Sequence, residues 1–167
     1  MVRRWSNSLF GPDFCAEVIE VLCLRSEHGN EVAGHLKRLP TVETFRVAET
    51  RLNDAGLQHL RGQTRLRKLQ LSDTQMTDVG LEHVKQLSNL EWLSLTRTQI
   101  TDAGLSHIED LTGLSELNLI QTQVTDAGLV HLRRLIGLRI LALEGTKVTD
   151  EGIRRLQQAL PNCEITR

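Results

Sequence analysis

Tyrosine is absent, and only two tryptophans and three phenylalanines occur among 167 residues, so the core cannot be organised around large rings. Leucine supplies 29 residues instead, which implies uniform aliphatic layers. No apolar run approaches the roughly 20 residues of a membrane helix. The N-terminal stretch MVRRWSNSLFGPDF has the basic start of a secretory leader without the apolar run of about 7–15 residues that should follow, and the expectation is a soluble, cytoplasmic chain. Net charge is also lacking: a formal −1 provides no overall field to recruit nucleic acid or an anionic membrane. Cys15, Cys23 and Cys163 are odd in number and lack metal-ligand spacing, which argues against a disulfide framework. No glycine-rich phosphate loop follows a strand, and there is no G-x-S-x-G elbow. Neither an enzyme nor a cofactor is expected.

What is present is repetition. From Leu66, Leu90, Leu114 and Leu138, spaced by 24 residues, runs the pattern L-x-x-L-x-L-x-x-T-x-Φ-T-D-x-G-Φ-x-(H/R)-Φ, where Φ is aliphatic. A looser copy starts at Val42 and a degenerate one at Val18, making about six repeats. The alternation at Leu90, Leu93 and Leu95 suits a short strand with one face buried. A helix should follow. Thr77 between Met76 and Leu81 has the arrangement of an N-cap hydroxyl inside a hydrophobic staple, and Thr101 and Thr125 repeat it. Asp78, Asp102, Asp126 and Asp150 come next, where a carboxylate meets unsatisfied N–H groups for roughly 0.3–1 kcal/mol each. Glycine recurs at 56, 80, 104, 128 and 152; in a helix it costs about 1 kcal/mol against alanine. Its column therefore predicts a neighbouring turn too close for a side chain.

A strand, a turn and a helix in 24 residues resemble the leucine-rich repeat, and T-x-[IVM]-T-D-A-G-L-x-H-L is similar to repeats found in some bacteria and to the cysteine-containing repeats that follow F-boxes. The resemblance covers 42–162 and, loosely, 18–41. It implies an α/β solenoid, a curved right-handed coil with parallel strands on the concave face and helices on the convex face. One departure is Thr50, Thr74, Thr98, Thr122 and Thr146 where the family usually carries Asn or Cys. Trp5, Leu9, Phe10 and Phe14 assign 1–17 to an N-terminal cap, 18–41 to a degenerate first repeat, 42–162 to five repeats and 163–167 to a strand fragment or tail. The C-terminal end, with Leu156 and Leu160 closing the last helix, reads as thinly capped and open to self-association, giving a monomer or weak homodimer.

His35, His59, His83, His107 and His131 form a further column at the flank of the helical stripe. They read as spacers between coils: a shared metal needs ring nitrogens about 2.0–2.1 Å from one ion, whereas adjacent packed helices lie about 8–10 Å apart. Asp126 and His131 are about 140° apart around a helix and do not face each other. No metal site is assigned, and a metal-assisted enzyme using this column is the last of the alternatives, after the interaction module and the assembly role. By the resemblance, variable strand positions line the concave ligand surface. The third position reads Glu20, Thr44, Lys68, Trp92, Glu116 and Ile140; the fifth reads Leu22, Arg46, Gln70, Ser94, Asn118 and Ala142. Trp92 is the candidate anchor for a protein or peptide partner, with Lys68, Arg46, Arg97, Asn118, Ile120, Gln121 and Ile140 around it. Arg133, Arg134, Arg139, Arg154 and Arg155 read as a solvated helix face, with a dock for an acidic partner as the alternative; nucleic acid is not expected without interleaved aromatics.

Overall fold

The computed structural model describes residues 20–167; the cap assigned to 1–17, with Trp5 and Phe14, lies outside the described residues. Seven strands form one parallel sheet in chain order: β1 (Glu20–Ser26), β2 (Thr44–Thr50), β3 (Lys68–Gln70), β4 (Trp92–Ser94), β5 (Glu116–Asn118), β6 (Ile140–Ala142) and β7 (Glu164–Thr166). Register follows the repeat: Lys68 stands beside Trp92, Trp92 beside Glu116 and Glu116 beside Ile140. One coil of chain thus equals one sequence repeat, which is why side chains of the same repeat position stack into rows.

Every strand buries one face. Leu69, Leu93, Leu117 and Leu141 point inward, joined by Leu66, Leu71 and their equivalents in the later repeats. Phe45 occupies the same inward position in β2 and is the one ring of the described core. Met76, Ile100, Val124 and Val148 close the layer on the turn side. Burial of this many branched side chains, at about 1.5–3 kcal/mol each before entropy is counted, is the main force that holds the coils together.

The return segments differ from the expected helices in length. After α1 (Gly29–His35), the elements α2 (Asp54–Leu57), α3 (Asp78–Leu81) and α4 (Asp102–Leu105) are single turns, Gly128–Arg134 is a 3-10 helix, and α5 (Asp150–Ala159) alone reaches ten residues. Spacing accounts for this. Strands stack about 4.8 Å apart, whereas full helices pack at about 8–10 Å, so regular helices in every coil would splay the back of the sheet. Narrow single turns relieve the mismatch. Among the described residues α5 packs along the Gly128–Arg134 segment, and it runs longer than the other return segments.

α5 and its C-cap carry the two leucines expected to close the C-terminal end. Leu156 and Leu160 are 1% and 3% exposed, and Glu151, Arg154 and Arg155 form ion pairs on the outer side. Gln157 Nε2 donates to the Leu160 and Cys163 carbonyls (2.9 and 3.0 Å), fastening the chain as it leaves the helix. Leu156 and Leu160 are thus packed within the chain rather than presented at its end. Among the described residues, no helix is long and apolar enough to cross a membrane.

Candidate interaction surface

Where the recurring polar residues go decides what remains for a partner. Thr77, Thr101 and Thr149 are N-caps, with the Thr77 hydroxyl accepting from Val79 N–H at 3.3 Å. Each aspartate, however, turns away from its own helix toward the next coil. Asp54 Oδ1 accepts from Thr77 N–H (2.8 Å) and its Oδ2 from the Thr77 hydroxyl (2.7 Å). Asp78 does the same to Thr101, Asp102 to Thr125 and Asp126 to Thr149. The next cap offers two donors one strand spacing away, and such charge-assisted bonds are stronger than a distant dipole term. In the first link the chemistry changes in concert: Asn30 Oδ1 accepts from Asn53 N–H (3.1 Å) while Asn30 Nδ2 donates to Asn53 Oδ1 (3.0 Å).

The glycine column completes this clasp. A Cβ on Gly80 would lie 2.5 Å from Asp54 Oδ1, and Gly104, Gly128 and Gly152 would likewise collide with Asp78, Asp102 and Asp126. The close neighbour is therefore the preceding coil's carboxylate. Hydrogen bonds from Thr149 hold Asp126 below the usual carboxylate range. Thr74, Thr98, Thr122 and Thr146 donate to the carbonyls of Leu71, Leu95, Leu119 and Leu143 at 2.6–2.8 Å, so the threonine ladder ties down the end of each strand.

His59, His83, His107 and His131 are half-buried between coils, and His35 is exposed. Arg61 Nε donates to His83 Nδ1 (3.2 Å), and His131 Nδ1 lies 2.9 Å from Glu109 Oε2. Burial, followed by the Arg61 charge, pushes the His83 ring below its ordinary range. Among the described residues no three His, Cys, Asp or Glu side chains converge as metal ligands. Burial raises the Cys23 thiol and pushes Cys163 up to about 11, so both stay protonated and unreactive at neutral pH.

On the solvent face of the sheet, Lys68, Trp92 and Ile140 occupy one row and Arg46 and Asn118 a second. Trp92 is half-buried and Ile140 is 42% exposed. Four of the candidates have partners inside the chain. Arg46 Nε donates to Gln70 (2.9 Å), Arg97 Nε donates to Gln121 Oε1 (2.6 Å), and Asn118 Oδ1 accepts from the Thr96 hydroxyl (2.8 Å) and Ile120 N–H (3.0 Å). A linkage not foreseen from the sequence, through the hydroxyls of Ser72, Ser94 and Thr96, joins these groups diagonally. Its members do not recur, so periodicity carries no sign of them. Also missed is a column of left-handed residues ending each strand: Arg25, Glu49, Asp73, Arg97 and Gln121 at φ 51–54°, then Gly145 at 71°. Gly145 is the single sequence signal for that bend. The arginine set is partly neutralised, with Arg134 paired to Asp110 and Arg154 and Arg155 to Glu151.

The leucine rich repeat family model matches residues 64–124. No curated protein matches the chain. Among solved structures it is similar to a leucine-rich repeat protein of Leptospira interrogans (23% identity, TM-score 0.66) and to two internalins of Listeria monocytogenes, inlF (22%, 0.56) and internalin C2 (21%, 0.58). Each alignment covers 80% of this chain and, respectively, 33%, 43% and 65% of the other, so the chain spans from a third to just under two thirds of those proteins. At these identities the likeness is one of fold. Residues 64–124 are leucine-rich repeats, and the coil built from them is a leucine-rich repeat solenoid.

Proposed function

We propose that this chain is a non-enzymatic interaction module that binds a protein or peptide across the exposed face of its parallel sheet, with Trp92 as the anchor. One observation carries the reading. The Asp, Thr and Gly that recur are consumed in joining coils, whereas Trp92 stands on the open face between Lys68 and Glu116, whose charged ends have no hydrogen bond or ion pair among the described residues. The face offers area; the described depressions are open ones at the strand ends, around Arg67 and Glu91 and around Arg25 and Glu49. Area without an enclosed pocket suits a polypeptide better than a small molecule.

The test is affinity capture from the source cell with wild type, Trp92→Ala and, as a control on the opposite side, Val79→Ala. A partner retained by wild type and Val79→Ala and lost by Trp92→Ala supports the reading. A partner indifferent to Trp92, or lost only with Val79→Ala, moves recognition to the helical side. With Leu156 and Leu160 buried, the chain is expected to act as a monomer.

A further inference from the structure

Charged side chains on and beside the sheet face fall into two groups. In the row containing Arg67 and in the row of left-handed residues, opposite charges on neighbouring coils neutralise one another: Arg67 with Glu91 (2.7 Å), Arg25 with Glu49 (3.0 Å), Arg97 with Asp73 (3.5 Å). The row Lys68, Trp92, Glu116, Ile140 and Glu164 behaves differently. Its members are in register on β3 to β7, about 4.8 Å from one strand to the next. Among the described residues, no ion pair or hydrogen bond engages the charged ends of Lys68, Glu116 or Glu164, and Ile140 lies exposed between the two carboxylates. Beyond it on β6, Ala142 keeps the surface low, and Glu144 holds one carboxylate oxygen shielded from water without a donor.

The fold gains nothing from this arrangement, since Thr44 fills the same position in β2. Two unpaired carboxylates flanking an exposed isoleucine would lose solvation without compensation beneath a neutral partner, whereas a cation offsets that loss. Trp92 and Ile140 are two strand spacings apart, about 10 Å, which is about three residues of an extended polyproline II segment, whose side chains i and i+3 share one face. Glu116 and Glu164 repeat that spacing one strand further on.

We propose that this row binds an extended polypeptide segment that sets aliphatic side chains on Trp92 and Ile140 and lysine or arginine against Glu116 and Glu164. The proposal rests on the sheet-face reading above and adds the chemistry of the partner.

The probes are a synthetic peptide of four Leu-Lys-Ser units and its Leu-Glu-Ser counterpart, titrated into the full chain carrying Trp5→Phe so that Trp92 is the sole tryptophan reporter. The lysine peptide is expected to shift Trp92 emission saturably, and Glu116→Gln with Glu164→Gln to weaken it at least tenfold. The glutamate peptide should bind at least tenfold more weakly than the lysine peptide. Far-ultraviolet circular dichroism of the double variant should match wild type. Equal affinity for wild type and double variant, equal affinity for both peptides, or an unmoved Trp92 overturns the cationic-partner inference. Those results leave the sheet-face reading standing if Trp92→Ala still abolishes capture from the cell. Loss of both means that the face itself is not the site.

Discussion

At the scale of the residue, the sequence motif T-D-x-G is half of a joint whose other half lies in the next coil. Asp supplies two acceptors to a Thr that supplies two donors, and Asn30 supplies one acceptor and one donor to an Asn53 that mirrors it. Mixing the two chemistries should fail. Asp102→Asn, which sets an amide donor against a donating hydroxyl, should lower stability by about 1–3 kcal/mol in urea unfolding. Adding Thr125→Asn should recover at least half, because asparagine caps as well as threonine does. Glycines separate by the same geometry. Gly104→Ala collides with Asp78 and should destabilise by about 2–4 kcal/mol. In contrast, Gly34→Ala, whose nearest contact is His59 Nε2 at 3.7 Å, should stabilise by about 0.5–1 kcal/mol. Acid probes the joint at Asp126. Its folded pKa lies below the unfolded value, so its contribution is complete above about pH 4 and disappears as pH falls through the depressed folded value. The gap in melting temperature between wild type and Asp126→Asn should narrow between pH 5 and pH 2.

At the scale of the element, strands were legible and return segments less so. Leucines at 90, 93 and 95 read as the buried side of a short strand, and all three are buried, with Leu93 at the centre of β4. The helix signal was equally regular, but capping and staple residues mark where a helix starts, not how far it runs. Length was set between coils, by the mismatch of strand and helix spacing, which no single repeat displays. The left-handed bend was obscure for a related reason: five non-glycine residues adopt it, and what holds it is a bond from the bent residue's own N–H to a carbonyl of the next coil, as from Arg97 N–H to the Ile120 carbonyl at 2.9 Å. Thr98, directly after that bend, fastens it through the Leu95 carbonyl. Thr98→Val keeps shape and removes the donor, and it should cost about 1 kcal/mol by chemical denaturation.

At the scale of the whole molecule, the 24-residue period turns sequence position into surface position, so the candidate row was readable before any coordinates: Lys68, Trp92, Glu116 and Ile140 recur at one repeat position and stand side by side. What periodicity could not supply was which of those side chains are already engaged, since Arg46, Arg97 and Asn118 find partners through residues that do not repeat. Cohesion thus falls to residues other than those of the row proposed for recognition. Thermal unfolding of Trp92→Ala beside Asp102→Asn measures that division most directly. A loss of 1 kcal/mol lowers the midpoint of a chain this size by about 2–4 °C. The account predicts that Trp92→Ala melts within about 2 °C of wild type while Asp102→Asn melts several degrees lower; the reverse order would contradict it.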